Sequence, residues 1–200
     1  MKYFRADLHV HSRFSRATSG RLNIRNLAAW RMVKGLSVMS TGDFTHPAWR
    51  GELRRDLVYD DNSGLYRVRE KTPLETEIPG SEPQFLIQAE ISSIYKKDGS
   101  VRKVHNVVIM PSLESADKLS NKLAAIGNIT SDGRPILGLD CEHLLEMVLE
   151  ADERGVLIPA HIWTPWFSLF GSKSGFDALE DCFGSLSSHI FALETGLSSD

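Results

Sequence analysis

Asp7-Leu8-His9-Val10-His11 places two imidazoles two residues apart near the start of the chain. Side chains of an extended segment alternate with period two, so His9 and His11 emerge on one side and can share a divalent ion. Imidazole suits zinc, iron, nickel or copper, and carboxylates extend the range to manganese. Three further signals follow in order: Gly42-Asp43-Phe44-Thr45-His46, the carboxylate Glu90 followed by His105, and His161. Each lies at or just after an apolar, strand-like run. Parallel strands in a barrel gather ligands from distant parts of a sequence into one cleft in this way. Glu90 directly follows Phe85-Leu86-Ile87-Gln88-Ala89, and a carboxylate there is costly to bury unless it is paired or metal-bound. Bridging two ions is one way to satisfy it. A metal-dependent hydrolase is the leading reading.

The remaining candidates are weaker. Asp7 is placed to orient an imidazole. Gly42 permits a tight turn at which Asp43 and His46 would meet a metal or a substrate phosphate; the alternative is a turn whose Asp43 caps local amides and whose His46 is solvated. Trp163, Trp166 and Phe167 come directly after His161, and aromatic faces can stack on bases at about 1–3 kcal/mol each, although plain core or a lid is an equal alternative. Lys173, between Gly171 and Gly175, is placed to contact phosphate from a loop.

Positioning elements can be read around these residues. Met1 to Val10 reads as a first strand, Leu22 to Lys34 as a helix ending at Gly35, and Leu36 to Ser40 as a second strand. Strand, helix, strand favours parallel pairing. Residues 49–82 are charged, contain Pro73 and Pro79, and read as an insertion over the barrel mouth or at its edge. Phe85–Ala89 delivers Glu90, and Ile91–Tyr95 and Val101–Met110 read as a strand pair joined at Lys97-Asp98-Gly99. Ser115–Ile126 and Cys141–Arg154 are helical, the latter with an apolar stripe of Leu144, Leu145, Val148 and Leu149. Val156–Ala160 is a buried strand ending at His161, Phe176–Phe183 a short helix, and Ile190–Glu194 a last strand.

Two hundred residues with 42% apolar content suit one domain with a single core. A net charge of −3 gives no overall electrostatic footprint for nucleic acid, but it leaves room for a local basic surface. Cys141 and Cys182 fit no CxxC pattern and read as free thiols of a reducing compartment. No apolar run approaches the roughly 18 residues of a membrane span, and MKYFRADLHV has no signal core, so a cytoplasmic location is expected.

Asp7-Leu8-His9-Val10-His11-Ser12 resembles the first motif of the PHP (polymerase and histidinol phosphatase) superfamily of metal-dependent phosphoesterases. Glu90, His105 and His161 fall where that superfamily's later ligands would fall. Thr41 to Pro47, Ala89-Glu90-Ile91-Ser92, Lys103 to Asn106, Pro159 to Trp166 and Glu194 to Asp200 resemble, more narrowly, endonuclease Q and its bacterial relatives.

The resemblance implies an α/β fold, a distorted (β/α)7 barrel with two or three divalent ions. Zinc is the first expectation, with manganese, magnesium or iron as alternatives. It implies that His9, His11 and Glu90 hold one ion, that Glu90 bridges to a second held by His105 and His161, and that His46 belongs to a third site. It also implies an endonuclease of DNA repair, cutting on the 5′ side of deaminated bases or abasic sites, with DNA and replication or repair proteins as partners. Two departures stand out. Asp43 and His46 are separated by two residues rather than adjacent, and the superfamily's late Asp-x-His does not occur before Asp200, itself a candidate acid. The chain is therefore expected to be a truncated member. Rival expectations are a small-molecule phosphoesterase of histidinol-phosphatase type and a non-catalytic metal-binding module.

Overall fold

The computed structural model describes residues 4–70 and 84–196. In chain order its elements are β1 (Ala6–Asp7), α1 (Ile24–Val33), β2 (Val38–Ser40), α2 (Pro47–Asp56), β3 (Leu57–Asp60), β4 (Leu65–Val68), β5 (Gln84–Lys97), β6 (Ser100–Met110), α3 (Leu113–Ile126), β7 (Ile136–Leu137), α4 (Cys141–Ala151), β8 (Val156–Pro159) and α5 (Leu179–Phe183). β1, β2 and β5 pair parallel, as the strand–helix–strand rhythm predicts. The run predicted as two strands, Phe85–Ala89 and Ile91–Tyr95, is one strand of 14 residues. It turns back into β6 through Asp98 (φ 52°) and Gly99 (φ 75°). Positive φ at both central residues matches the right-handed twist of a hairpin.

β5 organises the molecule by its alternation. Phe85, Ile87, Ala89 and Ile91 are all buried on the face that packs into the hydrophobic core. On β6 their cross-strand partners Asn106, Val108 and Met110 share that face. Against them lie Leu119 and Leu123 of α3 and Leu144, Leu145 and Val148 of α4, each burial contributing about 1.5–3 kcal/mol before entropy. The opposite face of β5 carries Gln88, Glu90 and Ser92, polar residues that are nevertheless buried. His105 stands directly across from Ser92 and Val107 across from Glu90. The strand therefore has one oily face and one polar face, and chemistry is confined to the second.

The helices start where their caps direct. Asn23 accepts from the N–H of Asn26 at the head of α1, Asp140 from that of Glu142 at the head of α4, and Ser112 with Ser115 forms a capping box for α3. Phe176, placed in the last helix by its sequence, is instead a core side chain, and α5 begins only at Leu179.

The fold is mixed α/β with an eight-stranded sheet, but among the described residues the sheet is open. β8 pairs with β6, and no ladder joins it to β1. The segment predicted as a final strand, Ile190–Glu194, runs beside β8 with only two backbone bonds, Glu194 N–H to Pro159 O and Ile162 N–H to Glu194 O. It spans toward β1 through a side chain, Glu194 to His9, rather than through a ladder. Of the expected insertion at 49–82, the described part forms α2 and the β3–β4 hairpin, which extends the sheet beyond β5. Pro73 and Pro79 lie outside the described residues.

Gly42 links the fold to the site. It has φ 70°, and an added Cβ would lie 2.8 Å from Val10 O and 3.0 Å from the His11 backbone. Gly42→Ala should therefore lower stability by about 1–3 kcal/mol, read as a shift in the urea midpoint, because strain and a displaced His11 strand act together.

Candidate metal centre

His9 and His11 leave the end of β1, Glu90 stands in the middle of β5, His105 in β6, and His161 just past β8. Strand parity would send residue 161 to the core face with Leu157 and Pro159. A φ of 30° at His161 breaks that parity and turns the ring inward. The five side chains meet around one carboxylate. Glu90 Oε2 faces His11 Nε2 at 3.4 Å and His9 Nε2 at 3.7 Å, and Oε1 faces His105 Nδ1 at 2.7 Å and His161 Nε2 at 3.5 Å. They form two possible ligand groups, His9–His11–Glu90 and Glu90–His105–His161, which share the carboxylate.

The residues fit cations. Glu90 is only 2% exposed, and its Oε2, His9 Nε2 and His105 Nδ1 are buried without a hydrogen-bond partner. The short His105–Glu90 approach is thus a close polar contact without hydrogen-bond geometry. Two ligand atoms each about 2.0–2.1 Å from one tetrahedral ion stand about 3.3–3.4 Å apart, close to three of the four separations seen here.

An outer layer aims the rings. His11 Nδ1 lies 3.1 Å from Asp43 Oδ1, and His9 Nδ1 lies 3.0 Å from Glu194 Oε1. The His161 backbone N–H donates to Glu194 Oε2 at 2.7 Å, and its Nδ1 lies 3.2 Å from Thr164 Oγ1. Such partners fix the tautomer that leaves the inner nitrogen free for an ion. Asp43 itself is fully buried at φ 51°; its other oxygen accepts from Ser12 N–H, Ser12 Oγ and Ser15 Oγ.

Charge follows the geometry. Burial by itself raises the Glu90 pKa, but the facing His105, His161 and His9 outweigh it and hold the carboxyl far below the usual range. Burial likewise opposes a charged His9, yet Glu194 and Glu90 prevail and push it up to about 9. Glu194 is held low chiefly by His9.

The other predicted residues are placed differently. Asp43, expected to meet substrate, has both oxygens committed inside the protein and orients His11 instead, because the Gly42 turn folds it back under β1. His46 lies in neither ligand group: its Nε2 donates to Thr130 O at 3.0 Å and its ring stacks on Phe14 at 4.3 Å. Burial lowers its pKa. Trp163 and Trp166 are 55% and 50% exposed, one beside Phe170 and the other under Lys103. Lys173 is exposed, with its backbone N–H tied to Pro165 O. Asp200 lies outside the described residues. Asp7 pairs with Met39 in the sheet, and the imidazoles take their partners elsewhere. Sequence reasoning missed Glu194 as the partner of His9. The signal was the one that marked Glu90, a carboxylate ending the apolar run Phe191-Ala192-Leu193.

No model of a known protein family matches the chain. An uncharacterized protein of Methanocaldococcus jannaschii is 30% identical over 88% of this chain and 18% of its own length. The crystal structure of the lesion-specific endonuclease PfuEndoQ from Pyrococcus furiosus shares 32% identity at a TM-score of 0.76 over 98% of this chain. The chain is endonuclease Q-like. Endonuclease Q in complex with a 27-mer duplex carrying an abasic lesion at its active site gives a TM-score of 0.77 at 32% identity. The chain spans 43% of each of these endonuclease Q chains, so it corresponds to less than half of them. Among the described residues of this endonuclease Q-like chain, no helix is long and apolar enough to cross a membrane.

Asp43→Asn and Glu194→Gln should each weaken divalent-metal affinity by about 10–100-fold in a competitive chelator titration, because the ring is no longer held in its ligating tautomer. In metal-free protein, His9 has a folded pKa near 9 against 6.5 unfolded. Its stabilising contribution is therefore present in full below pH 6.5 and is lost as pH rises through 9. Urea midpoints of chelator-treated protein should fall across that window, and Glu194→Gln should flatten the fall.

Proposed function

We propose that this chain is the metal-binding catalytic part of a DNA-repair endonuclease, which hydrolyses a phosphodiester on the 5′ side of a deaminated base or an abasic site. The observation that carries the reading is the division of Glu90: each of its buried oxygens faces its own pair of imidazoles. That is the donor set of two ions sharing one carboxylate. In this reading His9, His11 and Glu90 hold one ion, and Glu90, His105 and His161 the other. The nitrogen-rich donor set favours zinc, with manganese, iron or magnesium as alternatives. Asp200 is a further candidate acid. The whole of 1–200 is taken as one PHP-type domain of the barrel class, with its insertion at 49–82.

Bound ions would supply a hydroxide at neutral pH and positive charge for the phosphoryl oxygens. The chain's own groups do the rest. Asp43, Glu194 and Thr164 hold the imidazoles in place, and the apolar face of β5 keeps water from the back of Glu90. In the metal-free state His9 carries a proton near neutral pH, so loading must release it. The DNA substrate is supported by the likeness to a lesion-specific endonuclease and to its complex with an abasic duplex. Replication or repair proteins would be its partners, in a cytoplasmic setting.

Metal-loaded protein should nick labelled duplexes containing uracil, hypoxanthine or an abasic site immediately 5′ of the lesion. Glu90→Gln should lose at least about a hundredfold in rate, since loss of a shared ligand exceeds loss of an outer partner. Turnover of histidinol phosphate without nicking would establish the small-molecule phosphoesterase. Bound metal with neither activity would establish a non-catalytic module.

A further inference from the structure

Cys141 and Cys182 are free thiols, both fully buried, and neither belongs to the two ligand groups of the metal centre. They come from different elements, Cys141 from the first position of α4 and Cys182 from α5. The thiols face one another on the core side of the β5–β6 hairpin, among side chains that are not apolar. Asn106 Nδ2 donates to Cys141 Sγ at 3.4 Å, and Tyr95 Oη lies 3.8 Å from Cys182 Sγ. Ser93 and Asn106 are fully buried beside them, yet Ser93 Oγ and Asn106 Oδ1 have no hydrogen-bond partner. Two thiols in an oily core are inert packing. Polar groups left unpaired around them cost stability, and a redox role is one reason to retain such groups.

The two sulfurs are not equivalent. Cys141 stands at the N-terminus of an 11-residue helix, where the backbone dipole favours a thiolate. Burial by itself raises its pKa, but the facing Cys182, Tyr95 and Asn106 outweigh it and hold it below the usual thiol value. Burial pushes the Cys182 thiol up, so that thiol keeps its proton. The two elements are also held together independently of the sulfurs. Lys97 Nζ donates to Cys182 O at 3.4 Å and lies 3.9 Å from both Asp140 Oδ2 and Glu142 Oε2 at the head of α4. Gly184, just past α5, has φ 53°, and a Cβ there would collide with the Glu142 carboxylate. The sulfurs are thus presented to each other by segments that are already docked.

We propose that Cys141 and Cys182 are a redox-active dithiol, a modification site that hydrogen peroxide converts into a reversible disulfide between α4 and α5. Peroxide is small enough to enter where α5, only five residues long, opens locally. The Cys141 thiolate attacks one peroxide oxygen. The O–O bond breaks, leaving Cys141 as a sulfenic acid and releasing hydroxide, which takes up the proton the thiol gave up. The Cys182 sulfur then attacks the Cys141 sulfur: the S–S bond forms, the S–O bond breaks, and the hydroxyl leaves as water with the Cys182 proton. The two sulfurs together lose two electrons, and the peroxide gains them. Downstream of Cys182 the chain runs to Glu194, the partner of His9, so the cross-link fastens the root of that segment.

Treatment of the folded full chain with hydrogen peroxide, followed by alkylation with iodoacetamide in urea and peptide mapping, tests the idea. The oxidised chain should take up no iodoacetamide, stay monomeric, yield the Cys141 and Cys182 peptides joined, and melt about 5–10 °C higher. Dithiothreitol should reverse all of this except the monomeric state. In Cys182→Ala the sulfenic acid of Cys141 should be trapped by dimedone, whereas Cys182 in Cys141→Ala should be labelled at least about tenfold more slowly. The parent chain decides the matter even if a variant fails to fold. Thiols that stay reduced in the folded chain while the urea-unfolded chain becomes cross-linked overturn the proposal, as does a disulfide that forms only between molecules. Equal or faster labelling of Cys182 overturns the assignment of Cys141 as the nucleophile.

Discussion

A carboxylate shut away from water on the polar face of a long strand must be neutralised on both of its oxygens, and everything in this chain is arranged around that demand. Glu90 has solvent on neither side: the core packs behind it and four imidazoles stand before it. Without positive charge there, burial would drive the group to protonate or the strand to shift. His9, whose pKa is pushed up to about 9, supplies positive charge there in the metal-free molecule, and cations among the four imidazoles would meet the demand with better geometry. His9 Nε2 and His105 Nδ1, buried beside Glu90 without hydrogen bonds, mark where such ions would go.

That arrangement needs histidines held at fixed angles, and the holding groups come from the far ends of the sequence. Asp43 reaches His11 across 32 positions, and Glu194 reaches His9 across 185. Backbone strain gathers at the same places: Asp43, His161 and Phe167 all have positive φ. Each is tied by hydrogen bonds to neighbouring segments, which is how the rest of the fold sustains a conformation that an isolated peptide would abandon. Glu194 has a second consequence, since its contacts to His9 and His161 connect the end of β1 with the end of β8, which no ladder joins among the described residues.

The net charge of the chain does not describe how charge is placed beside the imidazoles. The whole chain is mildly acidic, yet Arg16 and Arg134 line a cleft beside the imidazoles, with Asp132 offsetting one of them. Such short-range pairs act locally whatever the net charge, because fields at short range survive screening that erases distant ones.

Much of the site was legible in the chain of letters. His9-x-His11 and the carboxylate after an apolar run declare themselves because strand alternation and the cost of buried charge are local rules. His105 and His161 could be suspected for the same reason. Helix caps at Asn23, Ser112 and Asp140 and the hairpin at Asp98-Gly99 obey equally local chemistry, and so the elements fell close to their expected places. Tertiary structure alone decided which acids serve which imidazoles, that Asp43 faces inward, that His46 rests on Thr130, and that Phe167 lines the cleft while the two tryptophans stand in solvent. Those outcomes depend on contacts between residues tens to nearly two hundred positions apart, and on single φ values that reverse strand parity. Neither has any signature in the spacing of neighbouring residues.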